Sequence, residues 1–347
     1  MRPHVLLARL DSDGDVLLAG PAVRAVAARA RKVTLLCGPR GRAAAELLPG
    51  VDEIVVHRAP WIDPEPDPVD KEATLGLVEE LAGQGIDEAF VLTSFHQSPL
   101  PTALLLRFAG VRTIAATSED YPGSLLDVRH RIDGDVHEVE RSLSLVATLG
   151  YSLAPGDDGR LAVRRARGGV SSPAGEGPYV VVHPGASVPA RTWPAERHAA
   201  LVDAFVERGL DVIVTGGPGE VDLTALVAGP ARAEVLDLGG RTTFAELAEV
   251  FAGAEAIVVG NTGPAHLAAA IGTPVVSLYA PTVPAVRWRP WGVPHMLLGD
   301  QDAACAGSRA RVCPLPGHPC LTCVSVEDVV EALELLTASR ALAEAKA

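Results

Sequence analysis

Aromatic residues make up only 4% of this 347-residue chain and charged residues 21%, with two methionines and five cysteines. Cations are in deficit as well: 30 Lys and Arg stand against 43 Asp and Glu, for a formal net charge of -13. That deficit argues against a protein that grips nucleic acid or an anionic membrane through broad electrostatics, because either surface would repel it, though it leaves room for a local basic pocket. No segment reaches about 18 uninterrupted apolar residues, so no transmembrane helix is expected. The opening MRPHVLLARLDSDGD has too short an apolar run for a signal peptide and meets acids at once, so the expected location is the cytoplasm.

What remains is a chain of 48% hydrophobic residues, rich in Ala, Val, Gly, Arg and Pro, as expected of small-residue helices packed on Val-rich strands. HVLLARL (4 to 10) is a run of strand length, followed by the loop DSDGD and the helical pattern VLLAGPAVRAVAARA. KVTLLCG, EIVVH, DEAFVLTS and VRTIAAT continue the strand series, with helices expected near 69–83 and 98–109. From Tyr151 to Pro178 the pattern lapses into Gly, Pro, Ser and charge, which reads as an interdomain linker with at most one short strand. YVVVHPGA, LDVIVTGG, AEVLDLGG, AEAIVVGN and TPVVSLYAP then alternate with helices near 195–208, 219–228, 243–252 and from 263. The alternation predicts an α/β protein of two doubly wound, Rossmann-like domains facing a cleft. The expected domains are residues 1–165 and 175–325, with a last helix over 326–347 that crosses back to the first domain.

Several of the apolar runs end in residues suited to a ligand. In GNTGPAH (260–266), the amides of Thr262 and Gly263 open a helix whose positive end favours a diphosphate, and His266 lies near that end. The plainer reading is that Asn261 or Thr262 caps the helix while His266 packs beneath it. HPGASVPARTWP offers Arg191 as a forked phosphate donor, and VTGGPGE offers Glu220 as an acceptor for ribose hydroxyls. Each alone is more readily a surface Arg, a solvated Glu or a turn glycine; together they point three strand ends at one nucleotide-sized cleft.

These residues, in this order and after a linker, resemble glycosyltransferase family nine, the ADP-heptose heptosyltransferases and their relatives. The resemblance runs through the early GDV, DVHEVERSLSLVATLG, HPGA with RTWP, GGPGE, DLGGRTTFAEL, GNTGPAHLAAAIGTPVVSLYAP and the tail CLTCVSVEDVVEAL. It implies a GT-B fold with an N-terminal acceptor domain and a C-terminal donor domain, and metal-independent, inverting transfer of heptose or a related sugar from a nucleotide diphosphate, ADP foremost. The acceptor would be a hydroxyl of a glycan, glycolipid or small molecule. By position, Asp15 matches the general base, Arg191, Thr262 and Gly263 would stabilise the leaving diphosphate, His266 would assist there or hold the sugar, and Glu220 would contact the ribose. Asn261 stands where enterobacterial members commonly have Asp, and Arg191 where they commonly have Lys. An Asn cannot offer a carboxylate to sugar hydroxyls. The same fold leaves two alternatives, a nucleotide-sugar epimerase and a catalytically silent nucleotide-sugar binding module.

Asp11-Ser12-Asp13 has the form of a metal-binding DxD, a pattern common by chance. Cys305, Cys313, Cys320 and Cys323, the last two as CLTC, are a candidate structural zinc set, although the spacing of the first pair is irregular; the alternative is a loop of free or oxidisable thiols. Trp288 and Trp291, flanked by Arg287 and Arg289, read as a packed loop ahead of a base-stacking surface. Ser325 with Asp328 three residues on is an acidic capping box opening the last helix.

Overall fold

Val5, Leu6, Leu7 and Ala8 are all fully buried, because a strand inside a parallel sheet is covered by helices on both faces and needs apolar side chains on both. The computed structural model describes residues 2–165 and 178–344. The later part of the expected linker, 166–177, lies outside the described residues. Contacts divide the chain into two units, with the boundary between Arg164 and Arg165.

The first unit runs β1 (His4–Arg9), α1 (Asp13–Leu18), α2 (Gly20–Ala27), β2 (Lys32–Cys37), α3 (Arg42–Leu47), β3 (Glu53–Val56), α4 (Lys71–Gly83), β4 (Glu88–Val91), α5 (Leu100–Phe108), β5 (Thr113–Thr117), β6 (Val128–His130) and α6 (Glu138–Ala147). Its sheet has the order β3-β2-β1-β4-β5-β6, every neighbour parallel. The second unit runs β7 (Tyr179–His183), α7 (Ala195–Glu207), β8 (Asp211–Val214), α8 (Val221–Ala228), β9 (Val235–Asp237), α9 (Phe244–Ala252), β10 (Ile257–Gly260), α10 (Gly263–Ile271), β11 (Val275–Leu278), α11 (Ala285–Trp288), β12 (His295–Leu298), α12 (Pro319–Thr322) and α13 (Val326–Glu344). Its order is β12-β11-β10-β7-β8-β9, again all parallel, so both sheets build outward from their first strand in two directions. The reversal falls between β1 and β4 in one unit and between β7 and β10 in the other.

Two details depart from the sequence reading and a third agrees with it. The single helix expected after DSDGD is two, α1 and α2, parted at Ala19, because Pro21 has no N–H to continue the ladder and so falls in the first turn of a new helix. The short strands β6 and β12 have no counterpart in that reading; both lie at sheet edges with only half-buried side chains, so neither leaves an apolar run. The expected capping box of α13 forms in both directions: Ser325 N donates to Asp328 Oδ2 at 2.7 Å, and Asp328 N to Ser325 Oγ at 3.1 Å. Through its described side chains α13 packs on α7, β11 and β12 of its own unit.

The second unit's core gathers Val180 and Val182 of β7, Phe205 of α7, Val258 of β10 and Val329, Val330 and Leu333 of α13. Phe205 has no exposed surface. Phe205→Ala should therefore cost about 3–5 kcal/mol of stability, lost transfer energy plus a cavity, read as a lower urea midpoint at unchanged slope; a loss under about 1 kcal/mol would show that α7 does not anchor this core.

Candidate functional site

Ligand sites in open parallel sheets form at the carboxyl ends of the strands where strand order reverses. Both reversals here carry the residues singled out from the sequence. After β1 comes the segment Asp11–Asp15, which opens α1, and after β4 the turn Ser94–Gln97; after β7 comes the loop to Arg191, and after β10 the helix start at Asn261–Gly263.

In the first unit everything turns on Arg9, the last residue of β1, whose side chain is 2% exposed. Its Nη2 donates to Asp15 Oδ1 at 2.8 Å and to Ser94 Oγ at 3.0 Å, and Nη1 donates to Glu138 Oε2 at 3.3 Å from α6. Nε lies 3.1 Å from Asp11 Oδ2, an ion pair without hydrogen-bond alignment. Burial alone would drive the proton off this guanidinium, but Asp11, Asp15 and Glu138 outweigh it and hold Arg9 firmly charged. Asp15, the third residue of α1, also accepts Ser12 Oγ at 2.8 Å and keeps its side chain 21% exposed. Asp11 also accepts from Gln97 Nε2. Burial, against the pull of Arg9 and with the push of Asp15, raises the Asp11 carboxyl to about 6. Asp13 is raised to about 6 as well, by burial against a bond from Ala44 N at 2.9 Å. The two acids of the DxD pattern thus face different partners. Arg9 and Glu138 were not singled out from the sequence; the signal was a lone Arg closing an apolar strand, since a charge buried there requires acids around it.

In the second unit two groups form around the loop after β7. His183, which ends β7, sets Nδ1 3.0 Å from Thr215 Oγ1 and Nε2 4.0 Å from Glu220 Oε2. Burial outweighs Glu220 and holds this imidazole neutral, with its pKa well below the usual range. Glu220 accepts Gly217 N at 2.7 Å and lies across Gly185, where an added Cβ would come within 2.0 Å of Glu220 Oε1. A side chain at 185 would therefore displace the Glu220 carboxylate.

The other group is Arg191 and the start of α10. Arg191 Nη1 donates to Asn261 O at 3.4 Å, and the Arg191 backbone crosses Gly260 so closely that a Cβ there would stand 2.9 Å from Arg191 O. Thr262 is the N-cap residue of α10 with no side-chain cap bond, Gly263 is its first helical residue, Pro264 lies in the first turn, and His266 is buried. The Asn261 side-chain amide is bonded to backbone. Its Nδ2 donates to Ala280 O at 3.1 Å and its Oδ1 accepts Ala280 N at 3.2 Å, so the amide brackets the backbone just past β11. An Asp could accept the N–H but would set a charge against the carbonyl.

The expected four-thiol zinc site finds no support: among the described residues no group of three or more His, Cys, Asp or Glu is placed to hold a metal ion. Cys320 is buried in the core against Cys305, which with burial raises its thiol to about 12, while Cys323 is exposed and donates back to Cys320 O at 3.4 Å. The one-turn helix α12 separates the two thiols of CLTC, one inward and one outward. Among the described residues, no helix is long and apolar enough to cross a membrane.

The sequence pattern of Glycosyltransferase family 9 (heptosyltransferase) matches residues 77–318. Lipopolysaccharide heptosyltransferase 1 of Pseudomonas aeruginosa is 32% identical over 225 residues, which cover 62% of this chain and 61% of that protein. Across the first curated relatives the aligned part spans 34% to 61% of their length. Among solved structures, a family 9 glycosyl transferase from Veillonella parvula superposes with a TM-score of 0.76 at 19% identity, covering 97% of each chain. An E. coli heptosyltransferase solved with ADP gives 0.70 at 21% identity, covering 96% of this chain and 99% of that one. These likenesses assign the fold to the GT-B class. With the family pattern extending from α4 to the turn before α12, the chain belongs to glycosyltransferase family 9.

Proposed function

We propose that this protein transfers heptose or a related sugar from an ADP-linked donor to a hydroxyl of a glycan or glycolipid, with inversion at the anomeric carbon and without a catalytic metal. One observation carries the reading: the Arg191 guanidinium stands at the opening turn of the nine-residue helix α10, so a fixed cation and the positive end of a helix meet at a topological switch point. The relatives named as heptosyltransferases, and the neighbour solved with ADP, support ADP as the nucleotide.

Departure of a diphosphate builds negative charge on its bridging oxygen. Arg191 and the Gly263 amide stand at the helix start to meet it, while the Thr262 amide, which donates to Gly260 O at 2.9 Å, turns from that bond to add a further donor. Glu220, held over Gly185, accepts the ribose hydroxyls. His266 contacts the sugar or the diphosphate from the first turn of α10. Asp15 takes the proton of the acceptor hydroxyl as that oxygen attacks the anomeric carbon from the face opposite the diphosphate. Donors from Arg9 and Ser12 weaken Asp15 as a base, while the carboxylates of Asp11 and Glu138 around the same guanidinium restore part of its basicity. Asn261, bracketed to Ala280, steadies the helix start and leaves recognition of the sugar hydroxyls to other side chains.

Asp15→Asn should lower kcat by about 100- to 10,000-fold while ADP affinity measured by calorimetry stays within about twofold. Turnover near the wild-type value would remove Asp15 from the mechanism, whereas a wild-type chain that binds ADP and transfers no sugar would favour a silent binding module. Gly185→Ala should displace the Glu220 carboxylate and weaken ADP binding about tenfold, near 1.4 kcal/mol, while narrowing the preference for ADP over 2′-deoxy-ADP; an unchanged preference would separate Glu220 from the ribose. As pH falls through about 6, Asp11 takes up a proton, the guanidinium loses part of its counter-charge, and Asp15 becomes a weaker base. The pH profile of kcat should accordingly fall on its acid side near pH 6, and Asp11→Asn should flatten that limb; a limb unmoved by the substitution would assign it elsewhere.

A further inference from the structure

The Cys-bearing tail between β12 and α13 grips the donor elements along its length. Ala190, which immediately precedes Arg191 and is 1% exposed, has both backbone polar groups taken by the tail. Its N–H donates to Arg311 O at 2.9 Å, and its carbonyl accepts from His318 Nε2 at 3.1 Å. Farther along the same segment, Trp193 Nε1 donates to Val324 O at 3.3 Å and Arg197 Nη1 to Thr322 O at 2.7 Å. On the strand side, Gly307 N donates to Pro281 O and Arg309 N to Thr282 O, each at 2.8 Å, directly after the Ala280 that Asn261 brackets.

Backbone conformation marks the same contacts. Among the described residues, Arg309 (φ 58°) and His318 (φ 52°) alone are non-glycine residues in the left-handed region. Side chains other than Gly resist that conformation unless their surroundings impose it. Both strained residues are tail residues bonded to donor-side backbone, one to Thr282 and the other to Ala190. Cys305 and Cys320 lie in the core cluster and anchor the two ends of the loop.

We propose that this tail is a brace for the phosphate loop, in which His318 acts as a positioning residue that holds Ala190, and through it Arg191, against the start of α10 where the donor diphosphate binds. The proposal rests on the nucleotide-sugar reading of that site. His318 touches neither nucleotide nor sugar. Its effect reaches the ligand through one peptide unit, so its loss should be felt by the diphosphate and not by the nucleoside.

The test uses the full chain, with ADP and adenosine as probes, and hydrogen exchange at the Ala190 and Arg191 amides without ligand. His318→Ala should weaken ADP about tenfold with adenosine unchanged, and should speed exchange at Ala190. His318→Gln, whose amide can still donate to the Ala190 carbonyl, should restore most of the ADP affinity. Equal weakening of ADP and adenosine would mean general loosening and overturn the proposal, as would faster exchange at Ala190 with ADP affinity intact. A wild-type chain that binds no ADP overturns the nucleotide reading instead, and the exchange rates still report whether His318 holds Ala190.

Discussion

The reversal of strand order in each parallel sheet is the constraint on which the rest depends. Parallel strands need right-handed crossovers, so helices leaving in the two directions from β1 and β4, or from β7 and β10, fall on opposite faces and leave a gap at the strand ends. Loops at that gap have backbone groups without a ladder partner. In the first unit the gap is filled by a buried cation among carboxylates; in the second it is lined by glycines, a helix start and Arg191.

The two gaps are electrostatic opposites. Three carboxylates around Arg9 give the first an excess of negative charge, which favours removing a proton from a hydroxyl. The second offers donors and a cation, which favour accepting negative charge. An Arg with a 2% exposed side chain is tolerable only because each of its nitrogens has an acidic or hydroxyl partner, and removing one partner would leave the others uncompensated. The same guanidinium ties α1, α6 and the turn after β4 together, so the packing of three elements and the character of one acid share a cause.

Much of the site was legible from residue type. Thr262, Gly263 and Arg191 follow apolar strands, and the structure sets Arg191 Nη1 3.4 Å from Asn261 O, just ahead of α10. Glu220 lies beside the loop after β7, over a glycine whose neighbour in space no local pattern discloses. The edge strands β6 and β12 escaped because half-buried strands carry no continuous apolar run. The cysteine tail is a related case: ligand spacing is read along the chain, whereas whether four thiols converge is set by the fold, which buries Cys320 and leaves Cys323 exposed.

By itself the sequence determined the alternation of strand and helix, the parallel sheets that follow from it, and the residue types that end each strand, because hydrophobic period and glycine placement are local properties. Tertiary structure alone decided partnership. That Asn261 brackets Ala280, that Arg9 meets Glu138 across 129 positions, and that His318 holds Ala190 across 128 are consequences of satisfying buried polar groups with whatever the fold brings near. Such groups find their partners in space, and no spacing along the chain encodes the pairing.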